Sequence, residues 1–225
     1  MKSQQIQKCL AAVVVGLVLG SAQDVRAAEE VDYQPFSLTA EAGTLGLGGS
    51  LSWRFSDHLG IRAGGNYFSY DHSDDVEGIT YKANLKLQSF PIGLDLYTSK
   101  SSSFHVTVGA LINQNKLTGK VPPGTTVDVN GTPYVTDLAL EVKWQDLSPY
   151  VSVGGNIYFD SGKHVALGLE LGVAYTGSPD ITLTRTGAPN PALDADLEAE
   201  RLQVEQKAKD FKFYPIIKVG VTVSF

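Results

Sequence analysis

Alternation between apolar residues and polar or small ones runs through segment after segment of this chain, and it limits the fold more than any other feature. The stretch FKFYPIIKVGVTVSF places Phe211, Phe213, Pro215, Ile217, Val219, Val221, Val223 and Phe225 on one phase, with Lys212, Tyr214, Ile216, Lys218, Gly220, Thr222 and Ser224 on the other. Successive side chains of a β-strand point to opposite faces, so a period of two marks a sheet that separates two surroundings. Such a strand fits a soluble sheet with one face buried. It also fits a wall with lipid on one side and a packed polar interior on the other.

The pattern recurs upstream. Leu45, Leu47, Gly49, Leu51, Trp53 and Phe55 alternate with Gly46, Gly48, Ser50, Ser52 and Arg54, and beyond the short turn Ser56-Asp57-His58 the run Leu59, Ile61, Ala63, Gly65 and Tyr67 continues to Tyr70. Further strands are predicted over 79–97, 104–112, from near Leu138 to Phe159, and over 165–175. The first of these changes phase midway: Tyr81, Ala83, Leu85 and Leu87 are apolar in one half, Phe90, Ile92, Leu94 and Leu96 in the other, which predicts a β-bulge near Gln88-Ser89. A single-chain barrel wants an even number of strands. Seven lie from Leu45 onward, and Phe36, Leu38, Ala40 and Ala42 supply an eighth, out of phase with its successor at Gly43-Thr44. The break is a tight turn if there are eight strands and a bulge if the two are one; eight is the expectation.

The N-terminal segment reads as a secretory signal. Lys2 and Lys8 precede the apolar run LAAVVVGLVLG, too short to span a bilayer, and Val25-Arg26-Ala27 offers small residues for cleavage between Ala27 and Ala28. Cleavage after Ala22 is a weaker alternative, and Cys9 lies before the apolar run, where it does not suit lipoprotein attachment. Residues 1–27 are thus expected to be removed and 28–225 to form one barrel domain without a thiol, stable through burial and backbone pairing alone. Without Lys2, Lys8, Arg26 and Asp24 that domain has 15 basic and 23 acidic residues, a net charge of −8, which argues against nucleic acid as a partner. No later apolar run approaches the ~20 residues of a membrane helix, so a membrane-spanning form would have to be a closed barrel.

Short connections near Asp57, Ser101 and Ser161 alternate with long ones over 71–78, 118–137 and 178–210, the rhythm of periplasmic turns and external loops in outer-membrane barrels. The second long connection carries Pro122-Pro123-Gly124 and the hairpin signal Asn130-Gly131. In the third the period changes: Asn190-Pro191 suits a cap and first helical position, Leu193, Leu197, Val204 and Ala208 share a helical face, and Glu205 and Lys209 are an i,i+4 pair. One surface helix is predicted before the last strand.

The segments AGTLGLGGSLSWRFSDHLGIRAGGNYFSY, LKLQSFPIGLDLY, LGVAYTGSPDITLT and DFKFYP resemble the small Gram-negative outer-membrane β-barrels related to YfaZ, in the wider group of OmpA- and OmpW-type barrels. The resemblance covers nearly all of 28–225 and implies a fold and a cell-outer-membrane location. It implies no biochemical role, because the shared motifs are structural. The phase of the last strand resembles the terminal signal recognised by the barrel-assembly machinery, carried here by Phe211, Phe213, Val221, Val223 and Phe225.

On the lumen phase lie Glu41, Arg54, Arg62, Lys82, Lys86, Asp95, Glu170, Lys212 and Lys218. About eight strands leave an interior just wide enough for side chains, so charges there must pair. A structural network plugging the lumen is the expectation, with Glu170 facing Arg62 or Lys218 at its heart, and a narrow pore for small hydrophilic solutes is the alternative. His58, His105 and His164 fall at or beside short turns, where scattered rim histidines are expected rather than a three-His metal site. Asp71, Asp74, Asp75 and Glu77 match no calcium-loop spacing and read as a solvated acidic loop. A lipid A-modifying enzyme would need Ser, His and a carboxylate converging; His72, Ser73 and Asp71 or Asp74 have the residue types but are consecutive. The GLGG at 46–49 sits within a strand and reads as thin packing, not a phosphate loop. Trp53, Tyr67, Tyr70, Tyr81, Tyr158, Tyr175 and Phe225 are candidates for interfacial aromatic belts.

The reading is an all-β, eight-stranded antiparallel transmembrane barrel with one short surface helix. Its expected role is structural or interactive at the surface, without catalytic residues, metal or cofactor, and its expected partners are outer-membrane lipid, lipopolysaccharide and the assembly machinery. A soluble exported barrel with the Leu and Val rows inside, around an apolar ligand, is a further alternative.

Overall fold

The computed structural model describes residues 34–76, 79–159, 162–185 and 189–225, and the signal with its cleavage between Ala27 and Ala28 falls outside them. The strands are β1 (Phe36–Gly43), β2 (Gly46–Arg54), β3 (Leu59–Val76), β4 (Ile79–Tyr97), β5 (His105–Asn113), β6 (Lys116–Val129), β7 (Thr132–Lys143), β8 (Leu147–Tyr158), β9 (Val165–Tyr175), β10 (Asp180–Thr184) and β11 (Phe213–Ser224), with helix α1 (Pro191–Ala208) before the last. Eight of them close a ring, β1-β2-β3-β4-β5-β8-β9-β11 and back to β1, every contact antiparallel. Closure removes the free edges that an open sheet would expose. At the seam Phe36 and Phe225 exchange backbone hydrogen bonds of 3.1 and 2.9 Å and their rings stack.

The phase break at Gly43-Thr44 is a tight turn, so eight strands is the correct count. Gly43 pairs with Gly46, and Gly46 has φ of +109°, a conformation that favours glycine. Thr44 Oγ1 donates to the Pro215 carbonyl (2.8 Å) and accepts from the Ile217 amide (3.0 Å), which pins the turn to β11.

The two faces of the ring differ sharply. Leu38, Leu47, Leu51, Ile61, Val108, Val151, Leu169 and Val221 stand exposed on the outside, Leu47 at 65 %. Rings mark both margins of this band. Phe36, Trp53, Phe55 and Phe225 pack together at the end with the short turns; Tyr67, Phe90, Tyr175 and Phe213 lie at the other, the last two edge to face at 5.6 Å. Phe213 and Phe225 are twelve residues apart, about 40 Å along the strand and about 30 Å across at a ~40° tilt. The inverted alternative, with the Leu and Val rows around a ligand, is overturned because those rows face out. Tyr158 instead lines an inner cavity, and Tyr70 falls on the other face of β3, stacked on His72.

At the far end the sheet outgrows the ring. β4 pairs with β5 from Ser89 to Tyr97 and with β6 from Lys82 to Lys86, β6 pairs with β7, and β7 with β10. Two segments read as connections are therefore strand: β3 continues through 71–76, and 118–137 forms most of the β6–β7 hairpin. Its turn is Asn130-Gly131, both at positive φ, as a two-residue hairpin requires. The bulge expected at Gln88-Ser89 is absent: Ala63 pairs with Ile92 and Asn66 with Ser89, the same number of residues on both strands. A register shift occurs instead between Val121 and Thr125, where Pro122 and Pro123 cannot donate to the ladder.

Helix α1 covers this extension. Asn190 caps it, accepting from the Leu193 amide (3.3 Å), and Pro191 opens it. Leu193 and Leu197 bury against Val129, with Val127, Tyr134, Leu138 and Leu183 around them. Asn130 latches the hairpin tip to the helix through Asp196, Glu200 and Gln203. Glu205 pairs with Arg201 (2.9 Å) rather than with Lys209.

Candidate functional site

Every strand of the ring sends a polar side chain to one level of the lumen: Glu41 from β1, Ser50 from β2, Arg62 from β3, Asp95 from β4, Thr107 from β5, Ser152 from β8, Glu170 from β9 and Lys218 from β11. Arg62 is the hub. Its Nε and Nη2 donate to Asp95 Oδ2 (3.1 and 2.9 Å), and its Nη1 donates to Glu170 Oε2 (3.3 Å). Lys218 Nζ reaches the same Glu170 oxygen at 3.0 Å and Glu41 at 3.4 Å. The sequence Asp95–Arg62–Glu170–Lys218–Glu41 thus crosses the lumen as one chain of ion pairs. Hydroxyls add further bonds to the carboxylates: Thr107 donates to Asp95 (2.7 Å), Ser152 to Glu170 (2.6 Å) and Ser50 to Glu41 (3.4 Å). Buried charges persist when paired and hydrogen-bonded in this way.

His105 belongs to this level, not to a rim. It is 3 % exposed; Nδ1 donates to the Ser103 carbonyl (2.9 Å), which leaves Nε2 to accept from Arg62 Nη2 (2.8 Å). A Cβ on Gly154 would come 2.7 Å from this ring, so glycine provides its space. His58 stays in the β2–β3 turn and His164 beside β9, and among the described residues no three His, Cys, Asp or Glu side chains gather as a metal site.

The other expected lumen charges take no part in this chain. Arg54 stitches the short turns together, donating to the carbonyls of Asp57 (2.6 Å), Ser99 (2.9 Å) and Ser102 (3.2 Å) while its guanidinium lies 3.9 Å over the Tyr97 ring. Lys212 precedes β11, where its carbonyl accepts from the Thr176 amide, and it makes no ion pair among the described residues. Lys82 and Lys86 correct the reading most: with no bulge in β4 they share the face of Phe90 and Ile92, outside the barrel, and Lys86 sits 6.0 Å over the exterior Tyr67. Of the strand-end residues, Phe211, Phe213, Val221, Val223 and Phe225 all stand exposed on the outer phase.

Two cavities of about 30 Å³, each room for about one water, meet at Asn156: one lies against the ion-pair chain, the other among Ser37, Arg54, Tyr97 and Tyr158 at the turn end. On the other side of the chain the lumen is apolar. Leu45, Leu111, Tyr150, Ala174 and Ile216 pack together there with Tyr214. The Tyr150 ring fits only because Gly93 and Gly109 face it, a Cβ on either coming within 2.7 Å. Beside this layer Asn66, Ser89 and Asn113 line up across β3, β4 and β5, each buried with side-chain polar atoms that no protein group satisfies. Buried groups of this kind are served by internal water.

These additions were on the inward phase of the sequence all along. A search restricted to charged residues passes over hydroxyls, His105, and apolar side chains such as Leu111 and Ile216 on a nominally polar face. The hydrolase constellation is not assembled: His72 and Ser73 are adjacent in extended β3, so their side chains leave on opposite faces, and Asp71 is held by Asn84 Nδ2 (2.6 Å). The side chains of Asp74 and Asp75, and residues Glu77 and Gly78, are outside the described set.

No protein-family model and no curated protein sequence matches the chain. Among solved structures, it is similar to Acinetobacter baumannii CarO2 (23 % identity over 86 % of this chain and 99 % of that one, TM-score 0.57) and to Acinetobacter baumannii CarO (23 %, 88 % and 100 %, TM-score 0.55). A major outer membrane protein from Thermus thermophilus aligns more loosely, at 16 % identity over 84 % of this chain and 98 % of that one, with a TM-score of 0.44. The first two likenesses run along the whole barrel and establish the fold.

Proposed function

We propose that this chain is an outer-membrane β-barrel whose lumen is closed by its own side chains and whose role is structural or interactive at the cell surface. The exposed aliphatic band between two aromatic margins supports the location: left in water, so large an apolar surface would drive aggregation, and only a closed barrel lets strands satisfy their backbone groups in lipid. The turn end, with its short connections, then faces the periplasm, and the β6–β7–β10–α1 platform stands outside the cell.

The observation that carries the closed lumen is the ion-pair chain from Asp95 to Glu41, backed on its outer side by the apolar layer around Tyr150. A solute on its way through would have to part buried charge pairs and then an apolar seal. Reconstitution of the purified protein in planar bilayers tests this. The expected record is a quiet baseline for the wild type; steady single-channel steps, altered by Glu170→Ala, would mean the protein conducts and would replace the plugged reading by the narrow-channel one.

A further inference from the structure

Three like-charged pairs stand directly opposite one another on the outer face of the extension. Lys82 faces Lys120 and Lys86 faces Lys116 across β4–β6, and Lys116 faces Lys143 across β6–β7. Like charges opposite each other weaken an antiparallel pair, so three in adjacent register favour a counter-charge beside them. The protein provides part of it: Glu141 bonds both Lys116 and Lys143, Asp180 is opposite Lys143, and Asp71 on the same face is occupied by Asn84. Lys82, Lys86 and Lys120 have no ion-pair partner among the described residues.

The position of the array says what could supply the rest. On β4, Lys86 comes four residues after the exposed Phe90 toward the platform; Lys116 stands four beyond the exposed Ile112, and Lys143 four before the exposed Leu147. Each step is about 13 Å along a strand, or about 10 Å of height in a tilted one, which places the ammonium groups where headgroups begin above the hydrocarbon. The array is also one-sided. On β1, β2, β9 and β11 the outer face ends lower, at Ala42, Leu47, Tyr175 and Phe213, and none of these last residues is a cation.

We propose that the outer faces of β4, β6 and β7 bind the phosphorylated headgroup of an outer-leaflet glycolipid of the lipopolysaccharide class. One phosphate sits between Lys86 and Lys116, a second between Lys82 and Lys120, and the Asn84–Thr118 pair between them faces the sugar. Lys143 flanks the first phosphate. The site rests on the outer-membrane reading above. A lipid is the source, rather than free phosphate, because the lysines continue the same face that the acyl chains would cover.

The test uses the full-length mature protein in phosphatidylcholine nanodiscs, doped with bis-phosphorylated lipid A or with its dephosphorylated form, and counts retained lipid by native mass spectrometry. Wild type should retain the bis-phosphorylated lipid at least tenfold better. Lys86→Gln with Lys116→Gln, and separately Lys82→Gln with Lys120→Gln, should each remove most of that preference while the heat-modifiable gel shift of the folded barrel persists. In discs without the lipid the Lys82/Lys120 double should be as stable as wild type or more so, since a repulsion has been removed and no ion pair lost. Should one double fail to fold, the other and the Lys→Arg versions, expected to retain binding, carry the test. Lys207→Gln with Lys209→Gln removes the same charge from the helix end; an equal loss there would reduce the effect to net charge and overturn the site. Competition by millimolar inorganic phosphate would overturn the lipid source. A protein that inserts and shows no phosphate preference overturns this proposal alone, and one that inserts into no bilayer overturns the membrane reading with it.

Discussion

Strand β4 carries one face of its backbone from an aliphatic stretch to a basic one. From Leu96 up to Phe90 that face holds Leu96, Leu94, Ile92 and Phe90, exposed on the outside of the ring; from Gln88 to Lys82 the same face holds Gln88, Lys86, Asn84 and Lys82. The opposite face exchanges in the other sense, from Asp95, Gly93 and Ser89 in the lumen to Leu87 and Leu85 above it. No residue is inserted where the pattern inverts. Side-chain direction stays constant while the surroundings change, so hydrophobic phase reports which side meets an apolar medium rather than which way a side chain points. On the outer-membrane reading, a strand long enough to leave the bilayer inverts its phase without a bulge.

The two halves respond differently to the same kind of substitution. The largest effect is expected inside the lower half. Arg62→Ala leaves Asp95 buried with only the hydroxyls of Thr107 and Tyr97 as partners, and breaking a buried pair from one side costs about 3–5 kcal/mol. Urea unfolding from lipid bilayers, followed by tryptophan fluorescence, measures it; a loss under about 1 kcal/mol would mean that lumen water already screens the pair. On the outer face, Leu94→Lys should cost about 2–4 kcal/mol at mid-membrane depth, whereas Lys82→Leu, twelve residues along the same face, should stay within about 0.5 kcal/mol in bilayers of neutral lipid. Equal costs at the two positions would erase the distinction drawn between the halves of β4.

The parts of the fold legible from sequence were those where one face keeps one surrounding. The strands of the ring, their alternation and the glycine-rich turn at 43–46 are of this kind, as is the helix with its Asn190 cap. The platform was not legible because its strands have mixed faces: Thr118, Gly119 and Lys120 beside Pro122 and Pro123 show no period, and β6 is held in place by its partners β4 and β7. The lumen was half legible. Glu41, Arg62, Asp95, Glu170 and Lys218 come together, and inward phase alone suggested them. Arg54, on the same phase, is drawn to turn carbonyls that sequence cannot place in space, and His105, beside a turn in the sequence, swings into the lumen because Gly154 leaves it room.

Two smaller effects separate platform from ring. Asn190→Ala removes the acceptor for the Leu193 amide, and loss of such a cap costs about 1 kcal/mol. Amide exchange should rise across α1 and remain unchanged in β11; a rise in both would tie the platform to the barrel more tightly than these contacts imply.

Acid should loosen the same latch. Asp196 accepts from the Tyr134 hydroxyl (2.6 Å) and from Asn130 Nδ2 (3.2 Å), and these two bonds hold its carboxyl below the ordinary aspartate value. A group whose folded pKa is depressed contributes stability above its unfolded pKa of about 4 and loses it as pH falls through the folded value. Glu198, held low by its bonds to Arg201, titrates in the same sense on the same helix. Between pH 7 and pH 3, exchange in α1 corrected for intrinsic rate should therefore rise in the wild type, and the rise should shrink in Asp196→Asn, which keeps an acceptor oxygen and has no proton to gain. An equal rise in Asp196→Asn would transfer the acid response to Glu198 and Arg201, within the helix, and leave the hairpin latch indifferent to pH.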